Sequence, residues 1–163
     1  MRGEAVIHDV TNASDVPGIR AWFVVSANRD AVWRTLVDYR NFTKVFPDLD
    51  RISVLSEDES GARVRAWVSV LGLTFDYTLD RRYERPGYRL SWQRRGGSFK
   101  HISGSWEILD TDEPDRLLVI YEFYVEIGVM VPTALVGNAA RDRAEAMTQR
   151  FRRWVETDQS RSR

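Results

Sequence analysis

The chain has 163 residues, the length of one domain with a full hydrophobic core. It contains no cysteine, which excludes a disulfide framework, a thiolate metal site and a cysteine nucleophile. Its 24 basic and 24 acidic side chains give a formal net charge of zero, so charge gives no reason to expect a nucleic acid as partner. The first residues lack the apolar core of a signal peptide, and with the absence of cysteine this predicts a cytoplasmic protein. Arginine is preferred over lysine throughout, a usage typical of GC-rich bacterial genomes.

Two short strands, predicted over 4–10 and 19–27, open the chain and are separated by turn residues. Asn28 then favours the N-cap of a helix of about ten residues. The buried side of this helix is predicted to carry Ala31, Val32, Trp33 and Leu36. A second helical turn over 41–46 must end before Pro47, because proline disfavours helical backbone in the residue that precedes it.

After Pro47 the apolar residues alternate with polar ones, which is the pattern of half-buried strands. The links between the predicted strands are short and rich in turn residues, so an antiparallel meander follows. The six strands of this meander are predicted over 51–57, 62–71, 73–84, 88–95, 99–110 and 117–128.

Pro132 begins the last predicted element, a helix to about Thr157, because proline is favoured in the first turn of a helix. Its apolar residues recur at steps of three and four and form one stripe. The stripe consists of Val136, Ala140, Ala144, Met147, Phe151, Trp154 and Val155. The whole is predicted to be one domain over 1–158 with a frayed tail at 159–163.

Glu122 and Glu126 bear on membrane insertion and on which face of the last strand points inward. Charges at these positions argue against a membrane span in the apolar run 117–137, so we predict no insertion into a membrane. They also mark the wet face of the strand, which places alternate residues from Val119 to Ile127 on the inner face. The same test on the other strands predicts inward positions for Phe75, Tyr77, Leu79, Leu90, Trp92, Ile102, Gly104, Trp106 and Ile108.

Three stretches together resemble a known family: VVSANRDAVWRTLVDYRNFTKVFPDLDRISVL, FKHISGSWEIL and VPTALVGNAARDRAEAMTQRF. Their order and spacing resemble the START-like (SRPBCC) superfamily, with its polyketide cyclase/dehydrase and Coq10-like proteins, over about residues 19–156. The resemblance implies an α+β helix-grip fold. In that fold a seven-stranded antiparallel sheet curves around the long C-terminal helix, two short helices lie between strands 1 and 2, and a deep cavity separates sheet and helix.

If such a cavity exists, the aromatic and aliphatic residues facing it are the candidate ligand contacts. The predicted ligand-binding residues are Phe42, Phe46, Phe75, Tyr77, Leu90, Trp92, Trp106, Tyr121, Phe123, Val136, Met147 and Phe151. The segment with Tyr39, Phe42, Phe46 and Pro47 is open to two interpretations: the lid of a cavity, or a plug at the end of a dry core.

Polar candidates are few. Arg81 and Arg94 share the inward parity and could hold a carboxylate, phosphate or enolate oxygen, and Tyr121 is a candidate proton donor. A solvated strand end is the simpler expectation for both arginines. His101 lies near Ser103 without an acidic partner in the pattern, which favours a surface or hydrogen-bonded histidine over a catalytic one. No metal-ligand motif is present, so neither a metal nor a cofactor is predicted.

The leading hypothesis is binding or carriage of a hydrophobic small molecule, such as a lipid, quinone or polyketide-like compound. One alternative is a cofactor-independent polyketide cyclase/dehydratase (aromatase). Another is a protein-interaction module, ribosome-associated as in some Coq10-like relatives, that uses the Arg-rich last helix. The sequence does not identify the ligand or the oligomeric state.

Overall fold

The structure is a computed structural model of the chain that describes residues 4–70, 72–84, 88–128 and 133–161. Side chains are described in these ranges except at 133–139 and 159–161. The strands are β1 (Val6–Thr11), β2 (Pro17–Val25), β3 (Leu49–Asp58), β4 (Gly61–Val70), β5 (Leu73–Glu84), β6 (Arg89–Gly97), β7 (His101–Asp110) and β8 (Leu117–Glu126). The helices are α1 (Arg29–Val37), α2 (Phe42–Val45) and α3 (Thr133–Arg161).

Within the described ranges the strands form one eight-stranded sheet in the order β1-β2-β8-β7-β6-β5-β4-β3. β3 to β8 form the predicted antiparallel meander, and β2 pairs with β8. The seven-stranded sheet implied by the resemblance is wrong by one strand. β1 pairs with β2 as an antiparallel hairpin and adds an edge strand, and it lies in the N-terminal stretch that the resemblance does not cover.

The two short helices lie between β2 and β3, as predicted. Asn28 caps α1 through its side-chain oxygen, which accepts a hydrogen bond from the backbone nitrogen of Ala31 at 2.8 Å. The predicted buried side of α1 is confirmed, because Ala31, Val32, Trp33 and Leu36 are all buried. α2 is a single turn that ends before Pro47.

The inner face of the sheet carries the side chains that parity predicts. Phe75, Tyr77, Leu79, Leu90, Trp92, Ile102, Trp106, Ile108 and Val119 are buried. On the opposite face Glu122 forms an ion pair with Arg20 of β2, with 2.5 Å between Oε1 and Nη2. The main core therefore lies on one side of the sheet.

α3 covers this inner face. The ring of Phe151 lies 5.9 Å from that of Phe23 on β2 and 4.9 Å from that of Trp106 on β7. The predicted start at Pro132 lies outside the described residues, and the helix continues to Arg161, beyond the predicted end at Thr157. In the part of the chain that is described, no helix is long and apolar enough to cross a membrane.

An ion pair connects β1 to α3. Arg141 Nη2 lies 2.6 Å from Asp9 Oδ2, which joins the edge strand to the first half of the helix. Both side chains are substantially exposed, so the ion pair fixes geometry more than it stabilises the fold.

Candidate ligand-binding cavity

A cavity of about 230 Å³ lies between the sheet and α3. Strands from β2 to β8, together with α2 and α3, contribute to its lining. Apart from the tryptophan rings, the polar side chains among the described lining residues are Asp48, Tyr77, Arg81, Tyr121 and Arg143. Asp48 is exposed, so the cavity reaches the surface beside it. Close-packed interiors leave few voids larger than a water molecule, which makes this space the candidate site.

Aromatic rings form one wall of the cavity. The Tyr121 ring lies 4.5 Å from Trp106 and 6.0 Å from Trp92, measured between centroids. The Phe123 ring is tilted by 10° from the Tyr121 ring at 6.3 Å. The wall is therefore an aromatic surface in which the planes of neighbouring rings differ by 10° to 40°.

Gly104 makes room for this wall. A Cβ at this position would lie 2.4 Å from Cζ2 of Trp92 and 2.2 Å from the carbonyl oxygen of Glu122. Only glycine lets the indole of β6 lie against the backbone of β7. This close approach explains the glycine in the stretch that contains Phe99 and Trp106.

α2 closes one end of the cavity. The Phe46 ring lies 4.5 Å from Phe42 and 6.1 Å from both Trp106 and Phe151. Phe42 and Phe46 both line the open volume. The interpretation of this segment as a plug in a dry core is therefore wrong, whereas its opening as a lid stays a prediction.

Arg81 enters the cavity as a buried cation. Its side chain is held by two hydrogen bonds from Nη1, to the carbonyl oxygen of Leu36 at 3.0 Å and to Tyr39 Oη at 2.7 Å. The rings of Tyr39 and Phe42 lie 5.1 and 5.0 Å from the guanidinium carbon. The expected solvated strand end is wrong for Arg81, which is 6% exposed, because the end of α1 and the following loop cover it.

The Arg81 contact continues outward as a chain of hydrogen bonds. Tyr39 Oη and Tyr83 Oη are 2.6 Å apart, and Tyr83 donates to Glu57 Oε2 at 2.8 Å. Each tyrosine has one hydroxyl proton, so Tyr39, which accepts from Arg81, donates to Tyr83. Burial, followed by the hydrogen bond with Tyr39 and the one with Glu57, raises the pKa of Tyr83. The buried cation is thus linked to a surface carboxylate through two neutral phenols.

Arg94 takes no part in the cavity. It is exposed, and its guanidinium donates to the carbonyl oxygens of Phe99 at 2.6 Å and Gly97 at 3.0 Å. The expected solvated strand end is confirmed for this arginine. Its role is to hold the turn between β6 and β7.

Tyr77 and Tyr121 face the cavity from different strands. Burial raises the pKa of Tyr77, and the neighbouring Arg81 offsets part of this effect. Burial also raises the pKa of Tyr121, with smaller contributions from Tyr77 and Asp48. Both phenols therefore stay protonated at neutral pH and can donate hydrogen bonds.

The predicted ligand-binding residues divide into three groups. The cavity lining includes Phe42, Phe46, Tyr77, Trp92, Trp106, Tyr121, Phe123 and Met147. Phe75, Leu90 and Phe151 are buried in the surrounding core without reaching the open volume, because ring and strand neighbours cover them. The side chain of Val136 lies outside the described residues.

Several lining residues escaped the sequence predictions. β4 contributes Val64, Ala66 and Val68, and the lining also includes Asp48 and Arg143. The β4 residues carry a usable signal, since they alternate with Arg63, Arg65 and Trp67. The two charged residues carry none, because they lie far apart in sequence and only the tertiary fold brings them to one cavity.

Neither histidine belongs to the cavity. His101 Nε2 lies 2.9 Å from Ser103 Oγ and 3.4 Å from Asn12 Nδ2, as expected for a hydrogen-bonded histidine. His8 packs edge-on against Trp22, with 5.1 Å between the ring centres. Across the described residues, no group of three or more histidine, aspartate or glutamate side chains could hold a metal ion.

The sequence matches the model of one protein family over residues 25–152, described as polyketide cyclase / dehydrase and lipid transport. The chain belongs to this family. The match spans α1, the sheet from β3 to β8 and most of α3, so every element that lines the cavity except β2 lies largely within the family region. A comparison with curated proteins gives no match.

Solved structures of the same fold include members with different named activities. A STAR-related lipid transfer protein from Xanthomonas axonopodis is 14% identical, with a TM-score of 0.76 and coverage of 93% of each chain. Human STARD10 is 10% identical with a TM-score of 0.76, and the match covers 95% of this chain and 70% of that one. The Zhui aromatase/cyclase from Streptomyces sp. R1128 is 20% identical with a TM-score of 0.62, covering 98% and 95%. At these identities the likeness establishes the shared START fold of this polyketide cyclase / dehydrase and lipid transport family member.

Proposed function

We propose that this protein binds and carries a hydrophobic small molecule in the cavity between the sheet and α3. The observation that carries the proposal is an open volume of about 230 Å³, lined mainly by apolar and aromatic side chains, that reaches the surface. A folded chain gains nothing from an internal apolar space, since missing packing contacts cost stability. A space that persists at this cost is typical of a binding site.

The apolar lining is sufficient for useful affinity. Removing about 300 Å² of apolar ligand surface from water at about 25 cal/mol per Å² contributes about 7 kcal/mol before the costs of association. Loss of translational freedom and ordering of side chains reduce this figure. Binding in the micromolar range therefore needs no catalytic group.

The relatives support the same interpretation. The family description includes lipid transport, and one of the structural neighbours is a STAR-related lipid transfer protein. A lipid, a quinone or a polyketide-like compound would each satisfy the chemistry of the wall.

A polyketide cyclase/dehydratase is the second candidate, and Arg81 is the observation that favours it. A buried guanidinium beside an apolar cavity can stabilise an enolate oxygen while the cavity folds a reactive chain. Arg94 is removed from this role because it is exposed and its guanidinium is bound to the turn after β6. Formation of a cyclised product from a linear poly-β-ketone thioester would favour this candidate over a carrier.

Three sequence predictions stay predictions. Contact of the Arg-rich α3 with a ribosome, as in Coq10-like relatives, has no observation in its favour beyond composition. The cytoplasmic location and the bacterial origin likewise rest on sequence usage alone.

Ligand binding is tested by titrating the protein with quinones, fatty acids and polyketide-like aromatics while following tryptophan fluorescence and thermal unfolding. We expect at least one class to quench the fluorescence and raise the unfolding temperature, because a ligand that binds only the folded state stabilises it. The absence of any response across the whole panel would contradict the proposal.

A variant that fills the cavity, compared with a surface variant of the same helix, tests where the ligand binds. Met147→Trp adds volume at a half-buried lining position of α3 and should weaken the bound class by about tenfold or more, since it removes the space the ligand occupies. Gln149→Trp adds the same ring at an exposed position of the same helix and should leave affinity unchanged. Equal affinities for the two variants would place binding outside the cavity.

A further inference from the structure

Two tyrosine hydroxyls in the cavity have no hydrogen-bond partner among the described residues. Tyr77 is 8% exposed, and neither its hydroxyl nor that of Tyr121 forms a hydrogen bond with any residue that the structure describes. Buried tyrosine hydroxyls normally have a partner. The described chain satisfies its other buried polar side chains, with Arg116 Nε as the one fully enclosed atom without a hydrogen bond.

The free hydroxyls open into the cavity. Since they make no hydrogen bond and yet are absent from the enclosed unsatisfied atoms, both oxygens retain accessible surface. Both residues line the same cavity, so the surface open to them is its interior. Burial raises the pKa of Tyr121 in spite of that surface, as expected when it faces an enclosed volume.

The two phenols reach the volume from different strands of the same sheet. Tyr77 lies on β5 and Tyr121 on β8, with β6 and β7 between them. Three strand spacings correspond to about 14 Å along a sheet, so the two residues enter the cavity as separate donors. Tyr77 packs against Phe99 at 5.3 Å, and Tyr121 packs against Trp106, so each ring is fixed by an aromatic neighbour.

We propose that Tyr77 and Tyr121 form a subsite of two separate hydrogen-bond donors, either of which can donate to a neutral carbonyl oxygen, so that the cavity selects flat aromatic ketones or quinones over hydrocarbons of the same shape. The stacked rings of Trp92, Tyr121 and Phe123 receive the aromatic body, and one of the phenols receives the oxygen. A site that hydrogen-bonds a ligand oxygen discriminates strongly against an analogue that lacks it, because its own buried donors are then left unpaired.

The raised pKa values of both tyrosines agree with this role. A phenol that stays protonated donates at every pH at which the fold is stable, whereas a phenolate would repel a carbonyl oxygen.

The subsite rests on the proposed binding function, and a matched ligand pair separates the two. 2-Acetylnaphthalene and 2-ethylnaphthalene have the same ring system and nearly the same shape, and only the first carries a carbonyl oxygen. Their dissociation constants are measured by equilibrium dialysis against the wild-type chain and the Tyr77→Phe/Tyr121→Phe double variant. We expect the preference for the acetyl compound to fall by about tenfold in the double variant, the effect of losing one to two hydrogen bonds. Binding of the ethyl compound should be unchanged.

Tyr124→Phe is the control. Its hydroxyl donates to Glu122 Oε2 at 3.0 Å on the outer face of the sheet, so its removal should leave both constants unchanged. Far-ultraviolet circular dichroism and thermal unfolding establish that each variant is folded, and the single variants Tyr77→Phe and Tyr121→Phe replace the double one if it is not.

The outcomes are distinct. If the double variant keeps the preference for the acetyl compound, another donor such as Arg81 binds the oxygen. That result would overturn the subsite. So would equal affinities of the wild-type chain for both compounds. Failure of both compounds to bind would overturn the cavity as a site for flat aromatic molecules and the subsite with it, whereas the proposed binding function fails only if the fatty acids and quinones of the panel also give no response.

Discussion

Gly104 shows how a single residue can set the shape of a cavity wall. The Trp92 indole lies where a side chain at this position would be, and the backbone of β8 approaches from the other side. The aromatic wall therefore depends on the absence of one methyl group. Arg81 has a comparable effect on the polar side, since one guanidinium joins the cavity, the end of α1 and the tyrosine chain.

Gly104→Ala should destabilise the fold by about 1–3 kcal/mol, because the added methyl must displace Trp92 or the β8 backbone. Urea unfolding measures the loss. Gly96→Ala is the matched control, since a Cβ there meets no atom within 4 Å and should change stability little. Equal stabilities of the two variants would show that Trp92 does not need the space at Gly104.

Arg81 of β5 is one of the groups that hold the segment from Tyr39 to Phe46 in place, beside the ring contacts of Phe46 with Trp106 and Phe151. Its contacts are a hydrogen bond to Tyr39 and the faces of the Tyr39 and Phe42 rings. α2 is a single turn and too short to be stable by itself. The position of α2 thus depends in part on a strand that is distant in sequence.

Tyr39→Phe should loosen this segment. It removes the acceptor for Arg81 and the donor to Tyr83, a change that costs about 1–3 kcal/mol when a charged donor loses its partner. Hydrogen exchange should accelerate at the amide of Phe46, which bonds the carbonyl oxygen of Phe42 at 2.8 Å. Tyr124→Phe removes a hydroxyl on the outer face and should not alter this amide. Unchanged protection in Tyr39→Phe would mean that packing alone fixes α2.

At the scale of the whole molecule, the helix-grip arrangement buries phenols together with the apolar core. Their raised pKa values link folding to pH. Above about pH 10 the unfolded chain loses tyrosine protons that the folded chain still holds. The folded state then binds more protons than the unfolded state, so the free energy of unfolding falls as the pH rises, and the stabilisation is fully present below that pH.

Above about pH 10 the free energy of unfolding should fall by about 1.4 kcal/mol per pH unit for each tyrosine that stays protonated in the folded state. Tyr77 and Tyr121 are the two such groups in the cavity. Urea unfolding is measured below and above pH 10 for the wild-type chain and for Tyr77→Phe/Tyr121→Phe. The difference between the two chains gives the part of the stability loss that is due to these two tyrosines. Parallel pH profiles for the two chains would contradict the assignment of these phenols as buried and protonated.

Much of the fold follows from local pattern. The alternation in β5 to β8 assigned Tyr77, Trp92, Trp106 and Tyr121 to one face, and the structure places all four at the cavity. The period of a strand is a property of neighbouring residues, so it can be read directly from the chain. β1 was also predicted as a strand, although the resemblance implied a sheet without it.

The sequence by itself determined which side chains share a face and which helix covers them. Only the tertiary structure decided that Arg81 is buried, because its partners Leu36 and Tyr39 lie 45 and 42 residues away along the chain. The cavity itself was also a tertiary outcome. Whether rings on four strands fill the space beneath α3 or leave a volume depends on the curvature of the sheet and on the sum of many side-chain volumes. Neither is set by residues adjacent in sequence.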